Sequence, residues 1–542
     1  MISNKKAVLT SLLAGTMAMG LSSATFAADV PAGVKLAKVQ EMVRNNGSEP
    51  QTLDPQKLQG NPGSNVALDL FEGLVTPGPQ GQILPGVAKS WETKDNKTFI
   101  FHLRKDARWS NGETVTADDF VFAWRRLVNP ATGANYAYYL GLAGVKNADA
   151  ISDGKKKPDT LGVSAPDPHT LRVVLEKPVP YFVNMLTYPA LSPTPAKVIK
   201  KWGDKWTRPE HIVSNGAYKL KGWVVNGHID LVRNPDYWNN KKTVINKVRF
   251  LPIADPNAAL NRYMAGELDM TYTVPLEQFH KLKKEYPNQL KVVGQIATYY
   301  YAFNTKKKPF DDARVRKALS YAIDRNAITK YILGQGQLPA YTFTPDMTEG
   351  FTPPKLKWAD WTQAERNKKA QQLLKEAGYD KQHPLTLTIL YNTSDNHKKI
   401  AIAIASMWKQ TLGVNAKLEN QEWKTFLQTR QQGGYEVARE GWIADYNEPS
   451  AMLSQLQCGI GTNDTGFCDS NYDKVMHEAA ASTNAQQRSK FYDMAEQIIA
   501  KEMPIAPVYQ YVVPRMVKPY VGGYPHNPMD NILDKDLYIK AH

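Results

Sequence analysis

A chain of 542 residues is too long for a single ordinary hydrophobic core, so two or three domains are expected. Hydrophobic residues at 42% and charged residues at 22% are the proportions of a globular protein. The net charge of +15 raises nucleic acid as a partner, but the Lys residues are scattered and the longest runs, Lys155 to Lys157 and Lys306 to Lys308, sit beside Pro or Gly in expected loops. The charge reads as solvated, and no nucleic-acid partner is expected.

At the amino end, Lys5 and Lys6 precede an apolar stretch from Ala7 to Leu21, and small residues lead to Thr25, Phe26 and Ala27. The stretch is short and interrupted by Gly15 and Gly20, so residues 1–27 read as a cleavable secretory signal rather than a membrane anchor. The mature chain is expected to start near Ala28, with no Cys at the junction to accept a lipid. A freely soluble exported protein follows.

Aromatic and Pro-bounded strands dominate the first half. Thr98 to Arg104 alternates as a strand, Trp109 to Gly112 makes a turn, and Thr116 caps a helix whose first turn carries Asp118 and Asp119, as the helix dipole favours. Tyr299, Tyr300 and Tyr301 lie in a strand, where alternate residues are placed to line a cleft. Val315, Ala318, Leu319, Ala322 and Ile323 follow at helical spacing and read as core.

Farther on, Leu385, Leu387 and Ile389 alternate, Ile400 to Leu412 is helical until Gly413 stops it, and Val414, Ala416 and Leu418 alternate again. A second helix from about Glu422 to Gln432 ends at Gly433 and Gly434 and leads into a strand from Tyr435 to Trp442. Right-handed crossovers make these three strands parallel neighbours or near neighbours, so their carboxyl ends share one rim. His397 and Asp445, each in a turn after such a strand, become candidates for one crevice.

Cys458 and Cys468 are the two cysteines, and in an oxidising compartment a disulfide pinning the loop between them is the expectation. Ten His residues do not cluster, so no metal site and no cofactor are expected. The sequence lacks a Gly-x-Ser-x-Gly elbow, a His-Glu-x-x-His helix and a phosphate-cradling Gly-x4-Gly-Lys, and Gly334-Gln-Gly336 runs into Pro339 where a phosphate-binding helix would begin. These absences point away from an enzyme; an exported peptide hydrolase stays as the rival of another class.

The segment Val437-Ala-Arg-Glu-Gly-Trp-Ile-Ala-Asp-Tyr-Asn-Glu-Pro-Ser450 is the most specific in the chain. It ends a strand and sets Asp445 in a polar turn flanked by Trp442, Tyr446 and Pro449, a place for a carboxylate to seat an ammonium group. It resembles the amine-anchoring motif of periplasmic oligopeptide-binding proteins, the soluble receptors of peptide-importing ABC transporters, and the resemblance extends over nearly the whole chain. The stretch from Thr98 to Trp124 is similar to the signature region of the wider peptide and nickel receptor family.

The resemblance implies an α/β fold of two lobes and three domains with mixed sheets and a hinge: domain I from 28–71, 196–297 and 513–542, domain II from 72–195, and domain III from 298–512. It implies a monomeric periplasmic receptor that captures a short peptide and docks on the permease subunits of an ABC transporter at the inner membrane. Asp445 would pair with the ligand ammonium, Gly441 and Ile443 would meet its backbone, and Trp442 and Trp423 would wall its side-chain pockets. Arg439, Arg430 and His397 would read its carboxylate, Tyr136 and Tyr511 would face it, and Gln59 and Asn61 complete the set. Arg439 lies in an apolar strand, where an unpaired guanidinium is costly, so a carboxylate partner from ligand or protein is expected.

The chain also departs from the family. A Lys serving longer ligands aligns with Leu333, an acidic residue near the ligand amino terminus aligns with Gln59, and the family's cystine positions read Ala297 and Ile443. Shorter peptides are therefore the expected ligands. Phe343 to Pro353, Ser406 to Trp408 and Pro504 to Pro507 are more similar to the murein tripeptide-binding paralogue, which remains the alternative ligand class.

Overall fold

The computed structural model describes residues 28, 30–380 and 382–542. The expected signal segment, residues 1–27, lies outside them. Three main sheets organise the chain, and their strand orders explain where its residues converge.

The first sheet runs Glu41–Asn45, Lys247–Leu251, His228–Arg233, Tyr218–Val224, with the outer pair parallel and the rest antiparallel. The carboxyl-terminal tail returns to it: the Gln40 amide bonds the Ile539 backbone at both ends, and Arg44 pairs with Asp534 at 3.0 Å. The second sheet, Ala88–Thr93, Thr98–Leu103, Thr170–Val174, Val163–Asp167, is antiparallel throughout. Phe99, Phe101 and Leu103 turn inward from their strand in strict alternation. The neighbouring helix Ala117–Val128 starts on the expected Thr116, whose capping box with Asp119 satisfies two of the backbone N–H groups a helix start leaves free.

The third sheet has six strands in the order Leu338–Pro339, Ile505–Met516, Leu290–Phe303, Val437–Ile443, Thr386–Asn392, Asn415–Gln421. The last three are mutually parallel, as the two β-α-β units require, with Thr386–Asn392 central among them. Both faces are covered by apolar side chains: Tyr299, Tyr301 and Phe303 enter one core and Tyr300 and Ala302 the other. The tyrosine triplet is therefore core, not a cleft wall, because neither face of its strand meets water. Val315, Ala318 and Leu319 belong to the core on one of these faces, as their spacing predicts.

Leu290–Phe303 carries the chain from the first sheet to the third, and the antiparallel Ile505–Met516 carries it back. Their outer halves sit beside the first sheet, with Thr271 N–H donating to the Met516 carbonyl at 3.0 Å, and their inner halves lie inside the six-stranded sheet. The ladder between them shifts register between Gly294 and Thr298. Cys458 and Cys468 are bonded, with Cα atoms 4.7 Å apart.

Candidate functional site

Val437–Ile443 offers the cleft an open edge. On one side it pairs with Leu290–Phe303 along its whole length, and the bonds from Asn304 N–H to the Glu436 carbonyl and from Ala444 N–H to the Ile296 carbonyl place the even-numbered residues in the bonded positions of that ladder. In an antiparallel pair the alternate residues direct N–H and C=O the other way. On that other side the pairing with Thr386–Asn392 ends at Leu390 and Ala438. Gly441 and Ile443 thus turn their backbone groups toward an unoccupied sheet edge, the geometry that accepts an added strand.

A cavity of about 320 Å³ lies along this edge, and all twelve residues nominated from the sequence line it. Asp445 stands at one end, just past the strand. Its carboxylate pairs with no cation among the described residues, and its Oδ2 is buried without a hydrogen-bond partner. Burial pushes this carboxyl well above the usual carboxylate range. Around it Tyr136 stacks on Tyr188 at 4.5 Å, on Tyr138 at 5.6 Å and on Trp442 at 6.5 Å. The Trp442 indole is fixed by donating to the Ala451 carbonyl at 2.9 Å. A carboxyl group in a box of aromatic rings is chemically suited to a cation.

Arg439 provides the opposite charge. Its guanidinium donates to Asn392 Oδ1 at 3.2 Å and to the Tyr511 hydroxyl at 2.5 Å, lies over the Tyr299 ring at 4.7 Å, and leaves Nε buried without a partner. All these neighbours are neutral, and no carboxylate among the described residues forms an ion pair with the buried cation. A Cβ at Gly441 would fall 2.6 Å from the Tyr511 hydroxyl and 3.1 Å from Arg439 Nη2. Glycine here makes room for Arg439 and Tyr511, a role the sequence does not suggest. His397 follows Ser394, the cap of helix Asp395–Leu412, with its ring 5.6 Å from Tyr299. Burial, reinforced by the positive Arg439, holds its imidazole well below the usual pKa, and its Nδ1 is buried without a hydrogen-bond partner.

Arg430 differs from the sequence expectation. It lines the cavity, but its guanidinium is engaged by Glu440 and, at 2.7 Å, by Asp464. Its charge is met within the protein, so a ligand carboxylate gains little there. Trp423 leans toward Gly60, where a Cβ would meet its ring at 2.8 Å, with its indole N–H buried and unpartnered. Gln59 accepts from Gln431 Nε2 at 2.8 Å across the cleft, and Asn61 donates to the Tyr272 hydroxyl at 3.4 Å.

Sequence reasoning misses Tyr188 and Tyr272, which carry no local signature, and Arg515 with Asp530, a two-pronged pair at 2.5 and 2.6 Å drawn from the tail. Among the charged residues lining the cavity, Arg430 is therefore matched by Glu440 and Asp464, and Arg515 by Asp530. Among the described residues, Asp445 and Arg439 are the two of these that form no ion pair. No three His, Cys, Asp or Glu side chains converge to hold a metal among the described residues.

A cleft that holds a buried carboxyl and a buried guanidinium, neither ion-paired among the described residues, with an open strand edge between them suits a solute receptor. The chain belongs to the bacterial extracellular solute-binding proteins, family 5, whose middle-region model matches residues 82–464. It is 52% identical over 537 residues, 99% of this chain and 98% of the relative, to the periplasmic oligopeptide-binding protein OppA of Salmonella typhimurium. The structure of the Escherichia coli murein tripeptide-binding protein MppA superposes with a TM-score of 0.93 at 48% identity, covering 94% of this chain and all of that one. Haemophilus influenzae OppA in complex with the peptide RPPGFSPFR gives 0.91 at 50% identity over 94% of this chain and all of that one. The unliganded open form of MppA, at 47% identity and covering 94% of this chain and 99% of that one, gives only 0.67. With identity nearly constant, the drop records the arrangement of parts: the structure here differs from the open form and has its cleft closed.

Proposed function

We propose that this protein is a periplasmic receptor that captures short peptides between two lobes and delivers them to an ABC peptide permease. The observation that carries the reading is the pairing of needs in the cavity: Asp445 without a cation, Arg439 without an anion, and the edge of Gly441 and Ile443 between them. A short zwitterionic peptide offers an ammonium, a carboxylate and a backbone of alternating donors and acceptors. Because the Arg439 guanidinium lies beside Gly441, the span to Asp445 is about four residues of strand, or about 13 Å. An extended tripeptide covers about 10 Å, so tripeptides and tetrapeptides fit the interval.

The family's receptor role supports a binding function without catalysis. The named relatives support the periplasm as its location, which a cleaved segment 1–27 accounts for. Domain I gathers residues 28–71, 196–297 and 513–542 around the first sheet, domain II takes 72–195, and domain III takes 298–512. The two crossing strands serve as the hinge at the register shift from Gly294 to Thr298. A monomer docking its closed form on the permease is the simplest assembly.

Mass spectrometry of peptides retained through purification, followed by calorimetry with trilysine and its N-acetylated form, tests the reading. Retained short peptides and loss of binding on acetylation are expected. Equal affinity for the acetylated form would remove Asp445 as the amine anchor, and cleavage of the peptide during incubation would move the protein to the hydrolase class. The high similarity to a murein tripeptide-binding protein keeps that ligand as the second reading, and competition between murein tripeptide and trilysine ranks the two.

A further inference from the structure

Oδ2 of Asp445 is buried without a hydrogen-bond partner, so no bond to that atom holds the carboxyl in place and the backbone of its turn must do so. Upstream the turn is tied to the six-stranded sheet, where Ala444 N–H donates to the Ile296 carbonyl at 2.8 Å. Downstream it is tied by Glu448, a buried carboxyl that does not line the cavity. The two oxygens of Glu448 serve different elements. Oε2 accepts the Ser450 N–H at 2.8 Å and the Ser450 hydroxyl, which closes the turn on itself. Oε1 accepts the Tyr492 hydroxyl at 2.6 Å and Arg488 Nε at 3.2 Å. Arg488 and Tyr492 stand four residues apart in the helix Ala485–Glu502 and so share one of its faces. Glu448 thus staples the turn to a long helix, and residues 445–447 are slung between that staple and the sheet.

The same turn meets the opposite wall of the cleft. Tyr446, next to Asp445, shares a 2.8 Å hydrogen bond between its hydroxyl and Ser450 Oγ. Tyr181 stacks on its ring at 6.0 Å, with the planes 10° apart, and Tyr139 meets it edge-on at 6.3 Å. Arg488 lies 5.7 Å from the Tyr181 ring. Tyr139 and Tyr181 belong to the stretch 72–195, and Tyr446 and Arg488 to 298–512. On the domain division proposed above, these contacts form as the lobes close.

We propose that Glu448 is the positioning residue of the amine anchor: by stapling the turn to the helix and presenting Tyr446 to Tyr139 and Tyr181, it sets the Asp445 carboxyl at the ligand ammonium in the closed cleft. This rests on Asp445 anchoring that ammonium. Glu448 acts on the ligand only through Asp445, and that dependence is what an experiment reads.

Glu448→Gln keeps the shape of the side chain but turns one acceptor oxygen into an NH2 group, so either Ser450 or the pair Arg488 and Tyr492 faces a donor. Tyr492→Phe keeps the ring and removes one bond to Oε1, and it carries the test should Glu448→Gln not fold. Competition calorimetry with trilysine on the full mature protein reads each variant alone and combined with Asp445→Asn, beside a thermal melt. Glu448→Gln is expected to weaken trilysine about tenfold and Tyr492→Phe about threefold, the scale of one hydrogen bond to a charged group and one weaker bond. In the Asp445→Asn background neither should weaken it further, because the charge they position is gone. A merely structural role gives losses that persist in both backgrounds. Losses that survive undiminished beside Asp445→Asn, or wild-type affinity in both single variants, would overturn the proposal. Wild-type affinity in Asp445→Asn itself would instead remove the amine anchor, and this proposal with it.

Discussion

Arg439 and Arg430 sit on the same cavity wall, both buried, and are committed in opposite ways. Arg430 has two protein carboxylates and is electrically complete; Arg439 has an amide, a phenol and an aromatic face, and is not. The first guanidinium is part of the scaffold and the second is part of the binding site. Location in a cleft therefore does not make a cation a ligand reader: the absence of an internal counter-charge does. Asp445 is the same case with the sign reversed.

The largest effect on that contrast is expected at Asp445. Asp445→Asn should cost about 3 to 5 kcal/mol of affinity for a free-amine tripeptide, as removing one member of a desolvated pair does, without lowering the melting temperature. Calorimetry beside a thermal melt checks both parts, and unchanged affinity would count against the assignment. Arg430→Met should behave in the opposite way. It leaves Glu440 and Asp464 buried without a cation, so about 3 kcal/mol of folding stability is lost, measurable by urea unfolding. If Arg430→Met instead weakened peptide binding at unchanged stability, the distinction drawn between the two arginines would collapse.

Arg439→Ala comes next, at about 1.5 to 3 kcal/mol for a tripeptide, the range for a hydrogen bond to a charged group. A pentapeptide of matched composition, whose carboxylate passes Arg439, should lose less. Equal losses for the two lengths would mean that Arg439 acts on the cleft as a whole and not on the carboxylate.

Much of this is legible in the sequence. The β-α-β periodicity from Leu385 to Trp442 fixes which strand ends share a rim, and an acid directly after the last strand is a strong local signal. What the sequence cannot express is pairing. Nothing near Arg430 in the chain announces Asp464, thirty-four residues away and brought back by the loop that the disulfide closes. Nor does the chain distinguish a tyrosine run facing a cleft from one in a sheet covered on both sides, since alternation is the same in each. Gly441 reads as room for a ligand, and only packing reveals that it also makes room for Tyr511 and Arg439. Tyr188 and the pair Arg515 and Asp530 reach the cavity from segments with no periodic or motif signal.

The smallest expected effect concerns closure without ligand, and it follows from the same unpaired Asp445. In the closed cleft burial raises this carboxyl well above its ordinary range, and Glu440 is pushed up to about 7 by burial against the pull of Arg430. In an open cleft Asp445 meets water and titrates nearer its ordinary value. A carboxyl whose pKa is higher in the closed state binds a proton on closing, so it favours closure at low pH and opposes it as pH rises through the raised value. A peptide ammonium removes that opposition by pairing with the ionised form, which ties closure to ligand at neutral pH. Small-angle scattering of the peptide-free protein should therefore report a more compact average at pH 5 than at pH 8. With Asp445→Asn the pH dependence should shrink, and the compact form should be more populated at pH 8 than in the wild type. A peptide-free wild type whose dimensions are independent of pH, or a variant that keeps the full pH response, would place the closing equilibrium under control of some group other than Asp445.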